Sequence, residues 1–179
     1  MILSLDISTS CTGYCIFDQN TIVDYGHIDL SKHKDFFEKA YIVKSRIREI
    51  QKKYKITNVV VEENLQAFRP GLSSANTLMK LAQFNGTVQW ICHETFNIIP
   101  KALNVNRARK LVNLKIDRKN KNISTKDQVL NFVHNQEPNI LFPKKVLKSG
   151  PRKGLEVYEN ASYDIADAYV IGKAYLIEN

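Results

Sequence analysis

The chain has 179 residues, 44% hydrophobic and 25% charged, the composition of an ordinary globular protein long enough to bury a core without disulfide or metal staples. A formal net charge of +8 points to a polyanionic partner while saying nothing of the fold. No apolar run approaches the roughly 18 residues of a membrane span, the N-terminus lacks the basic region and cleavage site of a signal peptide, and Cys11, Cys15 and Cys92, with no clustered histidine, argue against a disulfide framework or a zinc site.

One domain over residues 1–179, in the cytoplasm and away from membranes, is the resulting expectation. Ile2, Leu3, Leu5 and Ile7 form the short apolar run of a central, doubly covered strand. Asp6 interrupts it. An ionised carboxylate in a buried strand is costly unless a cation or several donors meet it. Asp6 therefore marks either a site or a turn cap that bonds the following amides. A polar turn follows, then strands over residues 14–17 and 21–28 joined at Gln19-Asn20. Apolar residues at three- and four-residue spacing make 34–54 a helix, and Val59-Val60-Val61 a strand ending in Glu62-Glu63. Successive strand side chains face opposite ways, so only one of these glutamates can share a given face.

After a loop around Phe68 and Arg69, residues 72–93 read as a long helix whose wide apolar surface covers either one domain's interior or a sheet and a second subunit. Residues 97–100 read as a short strand, 105–114 as a short basic helix, and Ser124-Thr125-Lys126-Asp127 as the start of another, close to a capping box. The Pro- and Gly-bearing stretch 143–159 reads as a loop, and 160–176 as the closing helix. There Asp164 and Asp167 stand three apart on one face, which continues through Ile171 and Ala174. Two aspartates on an apolar stripe need compensation if buried; on a solvated face they need none. Between Lys101 and Lys126 nine basic residues meet one acid, Asp117, and Lys144, Lys145, Lys148, Arg152 and Lys153 form a second run. Such runs are solvated faces or phosphate contacts. The single histidines His27, His33, His93 and His134 read as surface or capping residues.

In order, Leu5-Asp6 with Thr12-Gly13-Tyr14, Val61-Glu62 with Leu65, Leu78-Met79-Lys80-Leu81-Ala82-Gln83 with Gly86, Arg107 with Lys110, Lys126 with Gln128-Val129, and Asp164-Ile165-Ala166-Asp167-Ala168 resemble the RuvC family of Holliday-junction resolvases, within the RNase H-like superfamily. The resemblance covers nearly the whole chain. It implies an α/β fold with a five-stranded mixed sheet in the order 3-2-1-4-5 and helices on both faces. It implies a homodimeric, structure-selective endodeoxyribonuclease that cleaves Holliday junctions and other branched DNA. Asp6, Glu62, Asp164 and Asp167 would be its catalytic and metal-holding acids. Carboxylates suit Mg²⁺, with Mn²⁺ able to substitute, and two ions per site suit phosphodiester hydrolysis. Arg107, Arg109, Lys110 and Lys126 would hold DNA together with Arg69; Phe68 would either stack on an unpaired base or anchor its loop. Ile7-Ser8 stands where the family has Pro-Gly, Leu65 where an aromatic is expected, and the longer segments 113–123 and 143–159 point to a phage- or viral-type member. An RNA- or hybrid-cutting relative and a non-catalytic nucleic-acid-binding module are the other readings. An actin-like ATPase lobe would need a second lobe with its own phosphate loop, for which 179 residues leave no room.

Overall fold

A computed structural model describes residues 1–63 and 75–179. Leu65, Phe68 and Arg69 lie outside the described residues. Strand β1 (Ile2–Ile7) pairs antiparallel with β2 (Cys11–Asp18), which pairs antiparallel with β3 (Thr21–Asp29). On its other side β1 runs parallel to β4 (Asn58–Glu62), and β4 parallel to β5 (Lys101–Leu103). The sheet order is 3-2-1-4-5, as the resemblance implies.

Helices cover both faces, so the central strands are apolar on both sides, and alternation divides their residues between two cores. Leu3, Leu5, Ile7, Val59 and Val61 face α1 (Phe36–Lys53) and α2 (Ala75–Phe96). Ile2, Cys15, Phe17 and Val60 face α3 (Val105–Leu111), α4 (Thr125–Gln136) and α5 (Asn160–Glu178). Asp6 follows the parity of Ile2, and Glu62 that of Val60, so both belong to the α5 face. The caps are as read: Asp35 accepts from the Glu38 amide, and Ser124 from that of Asp127, whose carboxylate takes the serine hydroxyl in return.

Several boundaries differ from expectation. Strand β2 begins at Cys11 rather than at residue 14, so Thr12 and Gly13, expected in the polar turn, lie within the strand. The strand expected at 97–100 lies at Lys101–Leu103, because α2 continues to Phe96, Asn97 takes the left-handed conformation that ends it (φ 57°), and Pro100 has no amide to pair. The helix expected to reach 114 stops at Leu111, with Asn113 left-handed (φ 59°). The stretch 143–159 is not simply a loop: β6 (Lys144–Val146) and β7 (Glu156–Tyr158) form an antiparallel hairpin, and Gly150 and Gly154 supply the positive φ its turn requires. Pro143 carries it, its carbonyl accepting from the Glu159 amide at 3.0 Å and the Ser162 hydroxyl at 2.6 Å, just where α5 begins. Among the described residues, no helix is long and apolar enough to cross a membrane.

Candidate active site

Leu5 lies opposite Val61 in the parallel pair, so Asp6 and Glu62 follow one another at the same end of adjacent strands. Helix α5 crosses this face and brings Asp164 and Asp167 over it. The approach depends on Gly13, the partner of Asp6 in the β1–β2 register. A Cβ at Gly13 would lie 2.2 Å from the Asp164 carbonyl oxygen and 2.7 Å from the Ile165 amide nitrogen. The helix backbone thus rests directly on the strand beside Asp6.

Each of the four acids keeps part of its surface reachable, yet burial is the largest influence on every one and raises all four. Asp6 is held well above the usual carboxylate range by burial, then by the charges of Glu62, Asp167 and Asp164. Glu62 is pushed up to about 7 by burial and by Asp167, against the opposing Arg109. Asp164 is raised by burial and steadied by the Cys11 thiol, Lys126 and His27; Asp167 is raised by burial and steadied by Arg109 and Lys126.

The basic residues divide. Arg109 Nη2 lies 3.5 Å from Asp167 Oδ1. Lys126, its ammonium 5.7 Å from the centre of the Tyr163 ring, faces both helix aspartates. Lys110 lines a cleft beside Arg109. Arg107 is not brought to the acids: it pairs with Glu178 at the far end of α5. Glu63 turns aside and accepts from the Asn104 side-chain amide at 3.1 Å. Sequence reasoning passed over His27 and Cys11, which border Asp164, and Asn85, whose amide reaches the Glu62 carbonyl at 3.5 Å. Cys11 and His27 come from strand positions with no motif to flag them; only their pairing next to Gly13 and Asp6 reveals them.

An all-oxygen set of four acids is what a hard divalent cation takes. Asp167 Oδ1, buried without a hydrogen-bond partner, is a further mark of fit. Among the described residues no three such side chains already surround one point as ligands do. Asp6, Glu62, Asp164 and Asp167 are the residues that could hold Mg²⁺ or Mn²⁺.

Without divalent ions, stability should fall between pH 5 and pH 8. A carboxyl whose folded pKa exceeds its unfolded value binds the extra proton in the folded state, so its contribution is present at low pH and is lost as pH rises from 4.5 through about 7 for Glu62. Asp29 and Asp127, lowered by hydrogen bonds from Ser31 and Ser124, titrate below this window and do not offset it. Urea unfolding in EDTA should show a loss on the order of 1–3 kcal/mol, recovered at pH 8 by Mn²⁺. Equal stability at both pH values would mean that the acids do not crowd one another.

No family model and no curated protein matches the chain. Solved structures do. RuvC of Thermus thermophilus in complex with Holliday junction substrate aligns with 98% of this chain and 92% of its own, at TM-score 0.64 and 15% identity. A second structure of T. thermophilus RuvC gives 0.59 over 98% and 93%, at 15% identity. The yeast mitochondrial Holliday junction resolvase gives 0.58 over 98% and 77%, again at 15% identity. At this identity the shared property is the architecture, and this chain has the RuvC-type, RNase H-like fold.

Proposed function

We propose that the chain is a metal-dependent, structure-selective endodeoxyribonuclease that cuts Holliday junctions and related branched DNA. The observation that carries this reading is the convergence of Asp6 and Glu62, from two parallel strand ends, with Asp164 and Asp167, from the helix laid across them, between the cations Arg109 and Lys126. Asp6, Glu62, Asp164 and Asp167 would hold divalent Mg²⁺, as a pair of ions in this reading, whose chemistry when bound would be to activate the attacking water and stabilise the departing 3′ oxygen, giving 5′-phosphate and 3′-hydroxyl products. The chain's own part is orientation and charge. Gly13 sets the height of α5 above the strands, and Lys126, Lys110 and Arg109 meet phosphates entering the cleft. The likeness to RuvC in its junction complex supports branched DNA as the substrate class.

Cutting two strands symmetrically calls for a two-fold axis, and the exposed Met79 and Trp90 on α2, 64% and 58% accessible, support a homodimer through that helix. Purified protein with Mg²⁺ should nick four-way junctions and leave ATP and RNA–DNA hybrids intact, with no cutting in EDTA, and should scatter light as a dimer at micromolar concentration. Preferential cutting of hybrids would move the substrate class to RNA; DNA binding without any cutting would reduce the chain to a binding module.

A further inference from the structure

Arg109 belongs to two surroundings at once. Toward the acids, its Nη2 stands 3.5 Å from Asp167 Oδ1, but neither that oxygen nor Arg109 Nε makes a hydrogen bond, though both are buried. A well-made guanidinium–carboxylate pair closes to about 2.7–2.9 Å, often with two parallel bonds. This one is loose. Away from the acids, Arg109 lines an open cleft with Lys110, Lys115, Arg118, Asn113 and Thr125, and among the described residues no Asp or Glu contributes to its walls. Four cations converging without an acid favour an anion of fixed charge such as a phosphodiester. The helix that carries Arg109 is itself held: Asn104 caps its start, Ala108 is buried against the core, and Arg107 is tied to Glu178 of α5. Only the side chain is free to change partner.

We propose that Arg109 is a positioning residue with two alternative partners: it neutralises Asp167 in the DNA-free protein, and a backbone phosphate seated in the adjoining basic cleft draws it away, leaving Asp167 to the cations. The inference rests on the nuclease reading and deepens it. DNA and divalent metal then bind cooperatively, and Arg109 carries the coupling. Before DNA arrives, the guanidinium competes with the ions for Asp167.

Mn²⁺ binding followed by electron paramagnetic resonance on the full chain tests this without any turnover. In the DNA-free state Arg109→Gln should bind Mn²⁺ roughly five- to tenfold more tightly than wild type, the lower part of the range for coupled sites, while Arg109→Lys stays near wild type. A short linear duplex, corrected for its own Mn²⁺ uptake, should raise the affinity of wild type and leave that of Arg109→Gln unchanged. Lys115→Gln, on the cleft wall and not among the charges that act on the four acids, should weaken duplex binding by fluorescence anisotropy without altering DNA-free Mn²⁺ affinity. Should Arg109→Gln fail to fold, Arg109→Met keeps the buried stem without the charge and serves in its place. Equal or weaker Mn²⁺ binding by the charge-free variant overturns the inference alone, because Arg109 is then a fixed partner of Asp167. No Mn²⁺ uptake by any form, wild type included, overturns the nuclease reading and the inference with it.

Discussion

Asp6→Asn, Glu62→Gln, Asp164→Asn and Asp167→Asn should each lower junction cleavage by roughly 10³-fold or more, since even one preorganised donor in an active site accounts for about 10²–10³ and a lost charged ligand removes more. DNA binding should persist or tighten, because each change takes a negative charge from a cleft that phosphates enter. Stability separates this outcome from a structural one. All four carboxyls are held up by burial, so a neutral amide relieves a cost in the metal-free protein, and urea midpoints at pH 8 in EDTA should rise. The gain should be largest at Asp6, which burial and three neighbouring acids oppose. Cleavage, binding and stability falling together would make these residues scaffold rather than catalytic centre.

Gly13→Ala should be the most damaging added methyl group among the described glycines. Its Cβ would meet backbone atoms of Asp164 and Ile165 at 2.2–2.7 Å, where ordinary contacts are about 3.5–4.0 Å. Backbone cannot rotate away as a side chain can, so α5 must lift or β2 must bend. The penalty should reach about 3 kcal/mol, the upper end for overpacking. Because the obstructing carbonyl belongs to Asp164 itself, the molecules that still fold should also cut poorly; a displacement near 1 Å can cost about 10²-fold in rate. Gly172→Ala makes the comparison. Its Cβ would meet the Phe17 ring at 2.3 Å and Ser4 Oγ at 2.7 Å, both side chains, two turns beyond Asp164 on α5. It should destabilise without a matching loss of cleavage per folded molecule. If Gly13→Ala unfolds in urea at the wild-type midpoint and cuts at the wild-type rate, the close approach of helix and strand does not position the site.

Much of the fold was legible because burial on both faces makes β1 and β4 continuously apolar, and within such a run Asp6 and Glu62 are conspicuous. Alternation correctly restricts one face to one glutamate, and Glu62, in phase with Val60, is the one on the α5 face. Strand order was available only through resemblance, since an apolar run does not name its neighbours. Short elements escaped for a physical reason: three residues of β6 or β7 are too few to show a period, and Pro143 and the glycines dominate the local signal. Arg107 looked equivalent to Arg109 in a basic helix, yet its partner, Glu178, is 71 residues distant in sequence. Gly13 reads as a turn residue from its polar neighbours; its use as a seat for a helix backbone depends on a contact with Asp164 that no local pattern contains.

The β6–β7 hairpin stands between the two halves of the acid set in chain order. A single cut at its Gly150-Pro151 tip would leave Asp6 and Glu62 on one fragment, and Asp164 and Asp167 on the other. The shorter fragment would carry α5, whose buried face is completed by β1, β2, α3 and α4 of the longer one. Ser162 on one piece would still donate to the Pro143 carbonyl on the other. The hairpin is thus a natural seam for a split enzyme: neither fragment would hold a full set of acids, and nuclease chemistry would arise only on reassembly.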